Sequence, residues 1–170
     1  MQRIIVTGAT SMIGVALIEE CIKHGTEVYA VVREGSKKRS RLPESSLIKF
    51  ADCSLEHLDR LPEMISQECD TFYHIAWGNT GENRNSSTEL QSRNIGYTLA
   101  AVKAAAALGC KRFIGAGSQA EYGLLDLDRI SPESAANPTT PYGAAKLASG
   151  YLARMLCKEL GIECIWPRIF

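Results

Sequence analysis

Arg3-Ile4-Ile5-Val6-Thr7-Gly8-Ala9-Thr10-Ser11-Met12-Ile13-Gly14 is the stretch on which the fold turns. Its first residues form a short β-branched, apolar run, the pattern of a buried strand. From Ile13 to His24 the apolar residues recur at helical spacing. Between the two lies a turn in which Gly8 permits a tight reversal and Gly14 allows helix and strand to approach closely. A chain that leaves a strand and enters a helix in this way directs the unpaired N–H groups of the helix start at one point, where a phosphate is favoured.

Working outward, five more runs read as strands: Val28–Val32, Leu47–Phe50, Thr71–Ala76, Arg112–Ala116 and Ile162–Trp166. Helical periodicity covers Leu55–Ser66, Thr88–Leu108 and Pro141–Leu160. Strand and helix alternate, which implies a parallel sheet with right-handed crossovers and helices on both faces. The fold class is therefore α/β, a doubly wound Rossmann sheet of six strands with expected order 3-2-1-4-5-6. The polar stretches Glu34–Glu44, Trp77–Ser87 and Gln119–Thr140 each follow a strand, and in such a sheet those loops face the ligand crevice.

The 170 residues suit one domain, 45% of them hydrophobic. Nineteen basic and 19 acidic side chains cancel, so no basic field is available for nucleic acid or an anionic membrane. The six cysteines have no metal-ligand spacing and read as reduced, mostly buried side chains; no metal is expected. The chain opens directly on a strand and holds no membrane-length apolar run, from which a cytoplasmic location is expected. Asn85-Ser86-Ser87 matches the glycosylation acceptor, a chance match on this reading.

The end of the second strand bears on the cofactor. An acidic residue there takes the ribose hydroxyls of NAD, but this chain has Val32 followed by Arg33. Arg33, Ser36 and the lysines Lys37 and Lys38 offer charge and a hydroxyl where a 2′-phosphate would lie. NADP is therefore favoured, with NAD as the alternative and a solvated basic loop as the plain reading.

Tyr142-Gly143-Ala144-Ala145-Lys146 sets a tyrosine and a lysine four residues apart at the start of a helix, on one face. A free phenol titrates near 10, and a neighbouring ammonium favours its ionised form, which is what proton exchange with an alcohol or carbonyl oxygen needs near neutrality. Alone, this spacing is common. Upstream, Gly115-Ala116-Gly117-Ser118-Gln119-Ala120-Glu121-Tyr122-Gly123 ends a strand in a serine followed by Tyr-Gly.

Taken together, these runs resemble the extended short-chain dehydrogenase/reductase family of sugar-nucleotide epimerases, dehydratases and reductases, over the whole chain. The amino-terminal turn is similar to its T-G-x-x-G-x-x-G signature, with Ser11 in place of the second glycine. The resemblance implies that Gly8, Ser11, Met12, Ile13 and Gly14 border the cofactor, with Asp52, Cys53 and Ala76 flanking it further on. It implies catalytic roles for Ser118, Tyr142 and Lys146, the lysine also holding the nicotinamide ribose. The Ser118-to-Tyr142 interval, the Asn94-Ile95-Gly96-Tyr97-Thr98 helix segment and Trp166-Pro167-Arg168 match the same pattern.

Dehydratases of the family carry an acidic pair after the catalytic hydroxyl, whereas this chain has Gln119 and Ala120. The resemblance then implies a 4-keto-sugar reductase using NADPH, with an epimerase as alternative and a noncatalytic dinucleotide sensor or scaffold as the rival of another class. The Gly117–Gly123 run, with Phe72-Tyr73-His74-Ile75-Ala76-Trp77-Gly78 before it, further resembles the branch that makes CDP-abequose. A nucleotide sugar is the implied substrate and a homodimer through the two long helices the implied assembly. The family continues past its sixth strand into a smaller substrate domain, which on this reading lies beyond residue 170, leaving residues 1–170 as the dinucleotide-binding domain.

Overall fold

The computed structural model describes residues 2–170, apart from the side chain of Asn83. The glycine turn joins β1 (Arg3–Thr7) to α1 (Met12–Lys23). After it come β2 (Glu27–Val32), β3 (Ile48–Asp52), α2 (Leu61–Met64), β4 (Thr71–His74), α3 (Thr88–Ala107) and β5 (Arg112–Gly115). The chain closes with β6 (Gly117–Ser118), α4 (Pro141–Glu159), β7 (Glu163–Ile165) and β8 (Arg168–Ile169).

Six strands form one sheet in the order β3-β2-β1-β4-β5-β7, every neighbour parallel. This is the order expected from the strand–helix alternation. In β1, Ile4 and Val6 pack against α1 with Val28 and Ile18, while Ile5 faces the opposite layer with Phe72 and Phe113. Both faces of the strand are covered, which is why it reads as continuously apolar rather than alternating. On the second face α3 and α4 pack side by side, closing over Ala101, Ala105 and Ala153, all fully buried. All six cysteines are free thiols, and four of them are buried.

Two departures from the expected elements have local causes. The predicted Leu55–Ser66 helix is instead a 3₁₀ turn over Leu55–Arg60 followed by the single α turn of α2. Pro62, at the start of α2, has no N–H to continue a hydrogen-bond ladder from the preceding turn. The second departure is a separate two-stranded parallel sheet of β6 and β8, which pairs Gly117 with Arg168 and Ser118 with Ile169 beyond the ends of β5 and β7. It places Ser118 at the end of a paired strand. No helix of the described residues is long and apolar enough to cross a membrane.

Candidate functional site

At the carboxyl ends of β1, β2 and β4 lies an open cavity of roughly 640 Å³, with the glycine turn on one side. Gly8 adopts φ +69°, and a Cβ there would stand 2.7 Å from Ala76 N, so the turn passes against the end of β4 with no room for a side chain. Gly14 is equally constrained, since its Cβ would meet Gly8 O at 2.3 Å. Ser11 does not have the backbone that requires glycine: its φ is −74°, and its hydroxyl turns back to accept from Gly14 N at 3.0 Å as the N-cap of α1. The serine that departs from the glycine signature is therefore accommodated as a cap.

Gly8, Ser11, Arg33, Ser36, Cys53 and Ala76 line this cavity. Gly14 is buried beneath the turn, and Met12 and Ile13 stand exposed at the start of α1. Asp52 forms an ion pair with Arg39 at the rim, and the Arg39 guanidinium lies 5.0 Å from the centre of the Phe50 ring. Leu55 and Leu58 give the far end an apolar wall, and Arg93 and Tyr97 of α3 complete it; the sequence reading did not single these out.

The second cluster lies past β4, around the start of α4. Thr140 caps the helix, its hydroxyl accepting from Gly143 N at 3.1 Å, and Pro141 sits in the first turn. A Cβ on Gly143 would stand 2.3 Å from Ala120 O, so the helix start presses directly on the turn that carries Ser118. Lys146, one helical turn after Tyr142, is buried and donates from Nζ to Ala116 O at 2.5 Å. Burial pushes its ammonium down to about 7, against the opposing influence of the Glu121 carboxylate. Ser118, Tyr142 and Lys146 are thereby gathered around one strand end.

Two further side chains face Tyr142. The Arg84 guanidinium lies 4.8 Å from the centre of its ring, and the Trp77 indole meets it edge to face at 5.9 Å. Trp77 also lies under the Lys146 ammonium, 3.7 Å from ring centre to Nζ. Neither residue is given a role by the sequence motifs, because both lie in the Trp77–Ser87 stretch that has no periodicity to read.

Glu121 is the other group that the motifs left unassigned. It is 1% exposed, and its carboxylate accepts from Ser118 N, Trp166 Nε1 and Arg168 Nε at 2.9, 3.0 and 2.8 Å. It joins β6 to β8 and fixes the backbone of Ser118. His74, at the end of β4, is fully buried, and burial followed by the nearby Lys146 charge pushes its imidazole down to about 3. Thr7 Oγ1 accepts from Ala76 N at 3.3 Å and shares a hydrogen bond with His74 Nδ1 at 2.9 Å. The neutral ring is a brace between β1 and β4.

A family model described as the NAD dependent epimerase/dehydratase family matches residues 4–170. The chain belongs to that family of enzymes. Among similar proteins, the dTDP-6-deoxy-L-talose 4-dehydrogenase (NAD(+)) of Aggregatibacter actinomycetemcomitans is 28% identical over 145 residues, covering 85% of this chain and 52% of that protein. The UDP-glucose 4-epimerase of Streptomyces lividans is 24% identical, covering 87% of this chain and 45% of that protein. The chain thus spans about half the length of these relatives. Among solved structures, the UDP-glucose 4-epimerase of Thermus thermophilus in complex with NAD superposes with a TM-score of 0.84 at 21% identity, over 98% of this chain and 54% of that one. That likeness establishes the Rossmann fold.

The NADP preference drawn from Arg33 and the basic loop is corrected by these relatives. The Aggregatibacter enzyme is named for NAD(+), and the Thermus enzyme holds NAD. The loop itself shows why its charges were misleading. Arg39 is turned onto Asp52 and Phe50, and the Ser36 hydroxyl caps a 3₁₀ turn by accepting from Lys38 N. Arg33 is exposed at the cavity with Lys38 and Arg41, so charge in this loop is compatible with either cofactor and does not by itself select a 2′-phosphate.

Proposed function

We propose that the protein is an NAD-dependent enzyme acting at C4 of a nucleotide-linked hexose, with sugar-nucleotide 4-epimerisation as the favoured activity. The observation that carries this reading is the meeting of Ser118, Tyr142 and buried Lys146 at one strand end beside the glycine-turn cavity. The cavity suits the adenosine and diphosphate part of NAD, with the α1 start at the diphosphate, Cys53, Leu55 and Leu58 at the base, and no side chain on Gly8 to obstruct approach. When bound, NAD supplies a hydride acceptor and donor at the sugar carbon.

The chain's own groups handle the proton. Tyr142 Oη takes the proton of the C4 hydroxyl and returns it to the carbonyl oxygen. Ser118, held by the Glu121 contact to its backbone N–H, hydrogen-bonds the same oxygen and orients it. The buried Lys146 ammonium supplies positive charge beside the phenol, 5.9 Å from the ring centre. Residues 1–170 are read as the dinucleotide-binding domain, and the groups that grip the sugar nucleotide are assigned to chain outside it.

A second reading is favoured by the Aggregatibacter relative, a 4-dehydrogenase by name: net oxidation or reduction at the same carbon. Incubating the full-length protein with NAD and UDP- or dTDP-hexoses separates the two. An epimerase interconverts the C4 epimers with no net NADH, whereas a dehydrogenase or reductase changes NADH stoichiometrically. Failure to bind NAD in calorimetry would refute both. The finer placement in a CDP-abequose branch draws no support from the UDP- and dTDP-linked relatives.

The assembly we propose is a two-fold homodimer through the long helices. On α4, Tyr151, Leu152 and Met155 are 50%, 39% and 58% exposed, an apolar stripe left over after α4 has packed against α3 and the sheet. Sedimentation should give a dimer mass that falls on Met155→Glu. A monomer at all concentrations would refute the assembly.

A further inference from the structure

Trp77 stands where the crevice and the catalytic side chains should meet. It lines the cavity together with Ala76 and Gly78, but Ser118, Tyr142 and Lys146 do not. The indole fills the gap, with its face on the Lys146 ammonium at 3.7 Å and Tyr142 edge to face at 5.9 Å. A dinucleotide seated on the glycine turn would reach Lys146 only through the space this ring occupies.

The ring is held in place from α3. Trp77 Nε1 donates to Gln91 Oε1 at 2.8 Å, and Gln91 Nε2 donates to Asn79 O at 2.8 Å. Asn94 clamps the next residue, accepting from Gly78 N at 2.7 Å and donating to Gly78 O at 3.2 Å. Gln91 and Asn94 are 0% and 1% exposed, so the latch is built into the core while the indole it holds is only half-buried. With one Lys146 proton on Ala116 O and the indole covering the ammonium, the lysine is engaged on both sides. A cation on an indole face gains most where water is excluded, as it is around this buried ammonium.

Resting on the reading of the crevice as an NAD site, we propose that Trp77 is a positioning residue that occupies the nicotinamide-ribose place over Lys146 in the free protein and yields it when the dinucleotide binds. The closed ring keeps the ammonium dry and aligned beside Tyr142, and its displacement exposes the lysine only to an arriving cofactor. An apparent affinity is reduced by the fraction of protein in the closed form.

The test is calorimetry and tryptophan emission during NAD titration of the 170-residue chain and of Trp77→Phe and Trp77→Ala. The chain has two tryptophans, so Trp77→Phe leaves Trp166 alone to report. NAD should change the emission of the unmodified chain and leave that of Trp77→Phe unchanged. Trp77→Ala, relieved of the closed form, should bind NAD about two- to thirtyfold more tightly, the factor that a cation–π contact of this kind represents. NAD binding with unchanged emission, or weaker binding by Trp77→Ala, would overturn the displacement while leaving the crevice assignment intact. No NAD binding by the unmodified chain would overturn both.

Discussion

Tyr142→Phe should lower turnover of the full-length protein by about 10²–10⁴-fold, the range that a positioned proton donor or acceptor contributes, while NAD affinity stays within a few-fold. The asymmetry follows from the geometry. Tyr142 lies past Trp77 from the glycine-turn cavity and does not line it, so removing one oxygen leaves the adenosine and diphosphate contacts untouched. The ring also persists in phenylalanine, and with it the packing of Trp77 and the Arg84 guanidinium. What is lost is the phenol placed a helical turn from Lys146, the group assigned to carry the proton. Steady-state rates on a nucleotide hexose, with NAD affinity from calorimetry, check this. Retention of most of the activity would remove Tyr142 from the mechanism.

The sequence was most legible where a physical demand leaves only one or two residue types that can meet it. Gly8 has a positive φ and a backbone neighbour 2.7 Å from where its Cβ would be, so the turn announces itself. Six short apolar runs separated by helical periodicity reduce the sheet to a few doubly wound orders once right-handed crossovers are imposed, and the expected one is observed. Tyr142 and Lys146 were legible because helical spacing converts directly into a shared face.

Legibility failed where a side chain's partner lies far along the chain. The basic loop looked like a phosphate site because Arg33, Ser36, Lys37 and Lys38 follow β2 directly, and the ion pair that forms there, Arg39 with Asp52 13 positions on, leaves no local trace. Trp77 was legible only as part of a run on the ligand side, since its contacts with Gln91 beneath it and Lys146 above it join residues 14 and 69 positions away. Ser11 shows the opposite case: it looked like a defect in the glycine signature, and a φ of −74° with a capping hydroxyl shows that the backbone at this position does not require glycine. Glu121 was hidden for the same reason as Trp77, its partners Trp166 and Arg168 being 45 and 47 residues away.

Glu121→Ala should destabilise the protein by about 3–5 kcal/mol, the cost of leaving one member of a buried ion pair without the other. Glu121 is 1% exposed and the Arg168 side chain 15% exposed, so water can compensate the guanidinium only in part. The substitution also strips an acceptor from Ser118 N and from Trp166 Nε1. Trp166 has no freedom to turn elsewhere: Cβ atoms added to Gly115 or Gly150 would fall 2.2 or 2.7 Å from its ring, so the indole is boxed between β5 and α4. At about 2–4 °C per kcal/mol for a chain of this size, the melting temperature should fall by roughly 6–20 °C. Glu121→Gln should cost less, because an amide oxygen still accepts from Ser118 N and the indole; what is lost is the charge and the acceptor for Arg168 Nε, which then faces an amide N–H. The ordering of the two variants is therefore the decisive measurement. If Glu121→Ala melts within a degree of the unmodified chain, β6 and β8 are held by their backbone pairing and by the stacking of Tyr122 on Phe170 instead of by this carboxylate. Ser118 would then owe its position to the strand alone.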